Sequence, residues 1–173
     1  CALSFNGGKD ATVLLHLFRL HALSDAGVPE SAWRQQLQDT AIVWPGVQVF
    51  YVLEEFEFDE ILQFVRTTER KYGIPIRTLE GLSLKQAIEQ FATESKVQLV
   101  VDGSRKDDPN AKELAQFTPS SADWPPFMRL APIIEWEYAE VWEFLRYFEL
   151  PYCFLYDQGY TSIGSTKNTE PNP

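Results

Sequence analysis

The sequence has few cysteines, and it has no long apolar run. Its 173 residues include two cysteines, Cys1 and Cys153, and neither belongs to a CxxC pair or to a Cys/His set with zinc-ligand spacing. This pattern argues against a disulfide framework and a structural zinc site, and it favours a reducing compartment. No apolar run approaches the roughly 18 residues of a membrane helix, and no basic-then-apolar leader is visible. We therefore expect a soluble, cytoplasmic protein with no membrane partner, and a mitochondrial address is left open.

Basic residues are outnumbered by acidic ones. The chain has 15 Lys and Arg against 25 Asp and Glu, a formal net charge of -10. Nucleic-acid binding draws mostly on phosphate neutralisation by Lys and Arg, so we expect no nucleic-acid partner. An anionic small ligand would instead need metal ions and a local cationic pocket. The length and the 45% hydrophobic content indicate one ordinary core and hence a single domain, which we expect to be a monomer.

Strand-like and helix-like segments alternate along the chain. The predicted strands are CALSF at 1–5, VQVFYVL at 47–53, IPIRTL at 74–79, VQLVV at 97–101 and MRLAPII at 128–134. Helical stripes predict one helix from about Lys9, one ending near Gly73, and others over 84–91 and 138–148. Because no tight hairpin turn separates the strands, parallel pairing with helical crossovers is the economical interpretation. We therefore predict an α/β fold: a mostly parallel twisted sheet with helices on both faces.

Two segments lack a clear pattern. Residues 25–46 combine glycines and prolines with a short polar stretch, which predicts a connection with one or two helical turns. Residues 102–126 predict a loop. A strand that begins at residue 1 without a Met also suggests that the natural chain starts earlier.

The most informative segment is SFNGGKD at 4–10, between the first strand and the first helix. Its glycines permit tight turns that aim backbone amides at phosphate oxygens beside a helix N-terminus. Lys9 would add a positive charge, and Asp10 could hold a magnesium ion that bridges phosphates. A turn that merely caps a helix is the ordinary alternative, but the strand–loop–helix context favours a phosphate cradle. The loop is not a Walker A motif, because Asp10 follows the lysine instead of Ser or Thr.

The segment DGSRKDDP at 102–109 directly follows the apolar strand at 97–101. Carboxyl ends of strands are where open α/β sheets bind ligands. Arg105 could neutralise phosphate by bidentate hydrogen bonding, and Asp108 could share the metal with Asp10. The alternative is a solvated polar loop that turns at Asp108-Pro109.

Trp124, Phe127 and Arg129 form an aromatic and cationic cluster. A flat apolar surface beside a cation suits a planar ring with a phosphate tail, although a packed lid explains the cluster equally well. His16 and His21 lie five residues apart on the first helix, so they do not share a face as metal ligands would. We expect both histidines on the helix surface.

These segments resemble a known family. SFNGGKD resembles the pyrophosphatase-type loop of ATP-cleaving enzymes that release pyrophosphate, and the segments at 102–109, 117–146 and 150–173 resemble eukaryotic-type FAD synthetase. The resemblance runs essentially end to end. It implies a PAPS-reductase-like fold of the adenine nucleotide α-hydrolase type and FMN adenylyltransferase activity. That reaction transfers AMP from ATP to FMN with magnesium, and it yields FAD and pyrophosphate.

The resemblance also assigns site residues. It gives catalytic roles to Asn6, Lys9, Asp10, Arg105 and Asp108, with Asp10 and Asp108 as metal ligands. The expected ATP contacts are Phe5, Asn6, Gly7, Gly8, Lys9, Asp10, Gly103 and Arg105. The expected flavin contacts are Asp123, Trp124, Arg129 and Tyr160. Many relatives carry an acidic residue where Ser121 stands, which leaves the expected hydrogen bond to the flavin edge without a clear donor or acceptor here. Relatives also continue past Pro173 with basic residues, and the first strand begins at residue 1, so we expect residues 1–173 to be one domain truncated at both ends.

Three other functions stay open. A reductase of sulfated nucleotides on the same fold needs a redox-active thiol, and Cys153 lies in an apolar PYCFLY context without a resolving partner. Another ATP-pyrophosphatase could adenylate a carbonyl group. A nucleotide-binding module without turnover belongs to a different class, and it would bind ATP without releasing pyrophosphate.

Overall fold

The computed structural model describes residues 1–39, 46–109 and 111–172. Within these ranges the strands are β1 Ala2–Ser4, β2 Gln48–Leu53, β3 Ile76–Glu80, β4 Leu99–Val101, β5 Phe117–Pro119 and β6 Met128–Leu130. The α-helices are α1 Lys9–Asp25, α2 Glu30–Asp39, α3 Asp59–Tyr72, α4 Leu84–Ser95 and α5 Tyr138–Tyr147, and a 3-10 helix follows at Phe154–Gln158. Strands and helices alternate up to β4 as the sequence predicts, except that α2 follows α1 directly, and β4, β5 and β6 then follow one another before α5.

The strands form one sheet in the order β3-β2-β1-β4-β6-β5. Strand β1 is parallel to both β2 and β4, and the β2–β3 and β4–β6 pairs are also parallel. Among the strands of the described ranges, β5 alone runs antiparallel, with Phe117 opposite Leu130 and Pro119 opposite Met128. The prediction of a mostly parallel sheet is confirmed, but the prediction that residues 102–126 are loop throughout is wrong. A three-residue edge strand with a proline has too little periodicity to be recognised.

Helices cover both faces of the sheet, because successive strand residues point to opposite sides. Leu3, Val49 and Val101 belong to a core cluster with residues of α1, α3 and α5. Their neighbours Ala2, Phe50 and Val100 belong to a second cluster with residues of α4. Each fully buried leucine or isoleucine contributes about 1.5–3 kcal/mol, so the two clusters hold the sheet between the helices.

The helix boundaries follow local signals. Helix α1 begins at Lys9, after Gly8 in an extended conformation, and α3 ends before Gly73, which adopts the left-handed conformation with φ 61°. Both boundaries agree with the prediction. Helix α2 is longer than the one or two turns predicted for the connection at 25–46, and residues 40–45 lie outside the described residues. None of the helices in the described ranges has the length and apolar character of a membrane-spanning segment.

His16 is buried, with 1% of its surface exposed, so the prediction of a surface position is wrong. Arg19 Nη1 donates to His16 Nδ1 over 2.9 Å and to Leu37 O over 2.8 Å, and the Tyr72 ring meets the His16 ring edge-on at 5.2 Å. Helices α2 and α3 thus cover polar positions of α1 that the sequence pattern assigns to solvent. His21 is exposed, as predicted.

Candidate active site

Two loops meet at the carboxyl edge of the sheet. Because β1 and β4 are parallel neighbours, the segments that follow them, 5–8 and 102–109, leave the sheet at the same edge. These loops and the C-terminal segment enclose a cavity of about 350 Å³, which we call the loop cavity. Its lining includes the predicted site residues Asn6, Gly8, Lys9, Asp10, Gly103 and Asp108.

The turn before α1 needs its first glycine. Gly7 has φ +74°, and a Cβ atom there would lie 3.2 Å from methyl groups of Ile61 and Val65 on α3. A side chain would therefore strain the backbone and press the loop away from α3. Phe5, predicted to contact ATP, is fully buried in the core, and its N–H donates to Phe50 O over 2.8 Å. Gly7 and Phe5 thus fix the shape of the loop on the side that packs against the core.

Two amides of the predicted cradle already have partners. The Gly8 N–H donates to Asn6 Oδ1 over 3.0 Å, and the Lys9 N–H donates to the Tyr156 hydroxyl over 2.9 Å. The loop is therefore held in shape by its own hydrogen bonds. Asn6, Gly8, Lys9 and Asp10 of this loop line the cavity, and the N–H groups of Gly8 and Lys9 already have partners within the protein.

A compact ionic network lies at the base of the loop cavity. Lys9 Nζ is 2.9 Å from Asp10 Oδ2, and Arg105 Nη2 is 3.2 Å from Asp108 Oδ1. The Arg105 backbone N–H also donates to Asp108 Oδ2 over 2.7 Å. Lys9 and Arg105 are 3% and 5% exposed. Because buried charges are tolerated only when paired, two cations and two carboxylates here stabilise one another.

One contact in the network has the distance of an ion pair without the alignment of a hydrogen bond. Arg105 Nε and Asp10 Oδ1 lie 2.9 Å apart. Among the described residues, however, neither atom has a hydrogen-bond partner, although both are buried. The contact is therefore an ion pair and not a hydrogen bond, because the N–H does not point at the oxygen. Asp10 Oδ1 therefore keeps its lone pairs for a further ligand.

Gly103 lets the second loop approach α1. A Cβ atom at Gly103 would lie 3.0 Å from Asp10 Cβ and 3.2 Å from the backbone nitrogen of Ala11. The first turn of the helix leaves no room for a side chain at that distance. The absence of a side chain at 103 lets the second loop come close enough to α1 for Arg105 to contact Asp10.

A second cavity of about 360 Å³ adjoins the first, and we call it the tryptophan cavity. Its wall contains Trp124, Phe127 and Arg129 together with Leu84 and Ile88 of α4. Both volumes fall in the range of small-molecule sites, about 300–1,000 Å³. Three residues line both cavities: Ser4, Asp102 and Ser104. A ligand in one cavity can therefore meet a ligand in the other at these three residues.

Two predicted flavin residues lie away from the tryptophan cavity. The Asp123 side chain is 70% exposed and pairs with Lys85 Nζ over 2.8 Å, a contact that lowers the pKa of the Asp123 carboxyl. The Tyr160 ring packs edge-on against Phe58 at 5.5 Å, within the core cluster of α1, α3 and α5. The structure thus brings Trp124 and Arg129 together but not Asp123 or Tyr160.

Two further residues belong to the site although the sequence did not single them out. Asp102 accepts hydrogen bonds from Arg129 Nε over 3.0 Å and from the Ser104 N–H over 3.1 Å. The sequence did contain a signal for Asp102, which directly follows the predicted strand at 97–101. Tyr156 lines the loop cavity and contacts Lys9 across 147 residues of sequence, a contact that local patterns do not reveal.

The fold and the cavities define a class: an open, mostly parallel α/β protein whose ligand cavities lie at the carboxyl edge of its sheet. Within that class, the family model of the phosphoadenosine phosphosulfate reductase domain matches residues 1–96 and 82–171. The chain belongs to that family. The predicted PAPS-reductase-like fold is therefore confirmed.

Two relatives that match nearly the whole chain are named as FAD synthases. The chain is 39% identical to a probable FAD synthase of Caenorhabditis elegans, over 99% of the chain and 30% of the worm protein. It is 36% identical to a probable FAD synthase of Schizosaccharomyces pombe, over 99% of the chain and 61% of the yeast protein. The chain thus spans less than two thirds of either relative. The predicted resemblance to FAD synthetase is confirmed.

A solved structure extends the similarity to three dimensions. The crystal structure of Candida glabrata FMN adenylyltransferase in complex with FMN and the ATP analogue AMPCPP superposes with a TM-score of 0.83 at 28% identity. The match covers 99% of the chain and 57% of the Candida protein.

Proposed function

We propose that this chain is the catalytic domain of an FMN adenylyltransferase, which transfers AMP from ATP to FMN and yields FAD and pyrophosphate. The observation that carries the proposal is the junction of the two cavities at Ser4, Asp102 and Ser104. A cavity built on a lysine-bearing glycine loop suits a triphosphate, and a cavity walled by Trp124 beside Arg129 suits a flavin with a phosphate tail. The similarity to FAD synthases and to an FMN adenylyltransferase supports this assignment. We also propose that the chain acts as a monomer on small molecules, without nucleic acid.

The reaction needs positioning more than acid–base chemistry. An oxygen of the FMN phosphate forms a bond to the α-phosphorus of ATP, the bond to the bridging oxygen breaks, and its electron pair leaves with pyrophosphate. A phosphate monoester has a second pKa near about 6, so FMN is already mostly a dianion at neutral pH. Repulsion between two polyanions is the main obstacle, and the residues of the junction must hold both phosphates in line.

Lys9, Arg105 and Asn6 act on the ATP side. Lys9 and Asn6 both line the loop cavity, and they bring an ammonium and an amide group to this part of the site. Arg105 contacts both Asp10 and Asp108, so it holds the two carboxylates in place. Because these two cations are matched by two carboxylates, the loop cavity offers little net positive charge of its own. A triphosphate therefore needs a further cation.

Asp10 and Asp108 fit a magnesium ion that arrives with ATP. Magnesium is usually held by one or two carboxylates together with substrate phosphates and water. Both aspartates line the loop cavity, and Asp10 Oδ1 is buried without a hydrogen-bond partner among the described residues. The described residues contain no group of three or more His, Cys, Asp or Glu side chains that would hold the ion without the nucleotide. When bound, magnesium would neutralise phosphate charge and stabilise the leaving pyrophosphate.

The family's name suggests the reductase alternative, and Cys153 does not favour it. Its thiol is 1% exposed, and burial raises its pKa. A reactive cysteine needs an accessible, electropositive environment that lowers the pKa. Cys153 instead packs in the core between α5 and the 3-10 helix.

The test is product formation from labelled ATP. The chain is incubated with FMN, magnesium and ATP labelled at the α-phosphorus, and flavins are separated chromatographically. We expect the label in FAD, and we expect no FAD when a chelator exceeds magnesium, with recovery after magnesium is restored. ATP binding without label transfer would instead support the nucleotide-binding module.

A further inference from the structure

Tyr156 connects the C-terminal segment to the first residue of α1. It lies in the 3-10 helix Phe154–Gln158, and its hydroxyl oxygen accepts the Lys9 N–H over 2.9 Å. The ammonium of the same residue also lies over two rings, with Lys9 Nζ 5.8 Å from the Tyr156 ring centroid and 5.2 Å from that of Tyr138. Tyr156 thus contacts both the backbone and the side chain of Lys9.

The backbone contact occupies an amide that would otherwise need a ligand. The first N–H groups of a helix have no partner within the helix, and Lys9 is the first residue of α1. Tyr156 satisfies this N–H in the protein alone. The glycine loop is therefore held in its cavity-lining shape in advance of phosphate binding, which reduces the ordering that binding must accomplish.

The Tyr156 hydroxyl has a second bond to give. A phenol carries one hydrogen and accepts through oxygen lone pairs, so accepting from Lys9 leaves its hydrogen available. Tyr156 lines the loop cavity together with Asn6 and Ser162. Burial also raises the pKa of the Tyr156 phenol, so the group is protonated at neutral pH and keeps that hydrogen.

The Tyr156 ring is itself held in place. The ring of Trp142 on α5 meets it edge-on at 5.2 Å. Because an aromatic side chain has only two rotatable bonds, this contact limits where the hydroxyl can lie. Trp142 on α5 therefore helps to fix the position of the hydroxyl that contacts the loop at Lys9.

We infer that Tyr156 is a positioning residue of the phosphate loop: it fixes the first amide of α1 and the ammonium of Lys9, and it offers its hydroxyl to the bound triphosphate. The inference rests on the proposed ATP site.

The test compares two Tyr→Phe changes in the same segment. Tyr156→Phe removes the hydroxyl that contacts Lys9. Tyr152→Phe is the matched control, because its hydroxyl donates to Asp157 Oδ1 over 2.9 Å and its side chain does not line either cavity. Binding of magnesium-ATP is measured by titration calorimetry, FMN binding by flavin fluorescence, and folding by thermal melting.

We expect Tyr156→Phe to weaken ATP binding about tenfold or more, as loss of a hydrogen bond to a charged group does. FMN binding should stay close to that of the wild type, and the melting midpoint should fall by only a few degrees, because the Lys9 N–H loses its partner. Tyr152→Phe should leave both affinities unchanged. A tenfold loss for ATP alone is a result that a purely structural role would not produce.

Three results would overturn the inference. One is equal ATP affinity in the two variants, and another is a parallel loss of ATP and FMN with a lowered melting midpoint. The third is a wild-type chain that binds no ATP, which would remove the proposed loop site as well. Because ATP binding is measured without turnover, a wild-type chain that binds ATP but makes no FAD would refute the proposed function alone.

Discussion

Lys9 is the most buried cation of the candidate site, and its ammonium has three neighbours. Nζ lies 2.9 Å from Asp10 Oδ2 and faces the rings of Tyr138 and Tyr156. Such a side chain is held in one place before the ligand arrives. A preorganised charge contributes more to a transition state than a mobile one, because it needs no reorientation during the reaction.

Lys9→Ala should therefore remove most FAD formation. A charge-assisted contact to developing phosphate charge is worth about 2–4 kcal/mol, or roughly 30- to 1,000-fold in kcat/KM. The measurement is steady-state FAD synthesis at varied ATP. Lys71→Ala is the control, because Lys71 is an exposed lysine at the end of α3. Unaltered product formation by a folded Lys9→Ala variant would contradict the assignment.

Trp124 and Arg129 should matter for FMN more than for ATP. Stacking on an aromatic ring adds about 0.5–1.5 kcal/mol, and a hydrogen bond to a charged group about 1.5–3 kcal/mol. Arg129→Ala should have the larger effect, because it also leaves the Asp102 carboxylate without its partner beside an anionic ligand. Each variant is titrated with FMN and with ATP separately.

Arg146→Ala supplies the control for this pair, since Arg146 is exposed on α5 and lies outside both cavities. Equal losses for FMN and ATP in folded Trp124→Ala or Arg129→Ala, or no loss of FMN at all, would refute the flavin assignment.

The loop between β1 and α1 depends on Gly7 for two reasons: its positive φ, and the space that its missing side chain leaves for α3. Gly7 and Gly27 have almost the same positive φ, +74° and +72°. A Cβ atom at Gly7 would press on Ile61 and Val65 of α3, whereas no described residue lies within 4 Å of one at Gly27. The two positions therefore separate backbone strain from packing.

Gly27→Ala should cost only the strain of a left-handed residue, about 1–2 kcal/mol, and keep ATP affinity. Gly7→Ala should cost more in the free energy of unfolding, because α3 must also yield, and it should weaken ATP binding by displacing the loop. Denaturant unfolding and ATP titration of both variants measure the difference. The same loss of ATP affinity in both variants would show that φ strain alone disturbs the site.

The packing of α1 against α2 and α3 should respond to pH through His16. Burial lowers its pKa below the ordinary value, and the charges of Arg19 and Lys71 lower it further. Below about pH 6.5 the unfolded chain binds a proton at this histidine that the folded chain does not. The free energy of unfolding should therefore fall as pH decreases from 6.5, with a slope approaching about 1.4 kcal/mol per pH unit.

Thermal or urea unfolding between about pH 7 and 5.5 tests this, because carboxylates titrate mainly below that window. His16→Gln should flatten the pH dependence, while His21→Gln, at an exposed position, should leave it in place. An unchanged slope in His16→Gln would assign the pH dependence to other groups.

The elements themselves show how far local patterns reach. The start of α1 at Lys9 and the end of α3 at Gly73 were predictable from a glycine turn and a C-terminal glycine. Strand β5 was not, because its three residues at the sheet edge are specified by pairing with β6 and not by their own periodicity. The burial of His16 was also not predictable, since it depends on which helices pack around α1.

The molecule as a whole is negatively charged, and so are its proposed substrates. The net charge is -10, and in the loop cavity Lys9 and Arg105 are balanced by Asp10 and Asp108. Long-range attraction of an anion is therefore not expected, in contrast to proteins that steer anions with a basic surface. Recognition has to come from contacts made within the cavities.

Raising monovalent salt should therefore leave the association rate of FMN unchanged or increase it, because salt screens the repulsion between the negative protein and the negative ligand. Repulsion acts over about 30 Å at 0.01 M ionic strength but over only about 10 Å at 0.1 M. The association rate of FMN is measured across that range at fixed free magnesium, with an uncharged flavin that lacks the phosphate as control. A rate that falls steeply with salt for FMN but not for the control would reveal a cationic approach path that the described residues do not show.

Features encoded in short stretches of the chain are determined by the sequence itself. The alternation of strand and helix patterns is sufficient for the parallel α/β fold, and SFNGGKD and DGSRKDDP at strand ends indicate where a ligand site lies. The fold inference succeeds because hydrophobic periodicity and glycine turns act between residues close along the chain. Contacts between distant residues are decided only by the tertiary structure. Tyr156 satisfies the Lys9 amide, Asp102 pairs with Arg129, and Asp123 turns to solvent, because strand order and packing set those distances and no local pattern contains them.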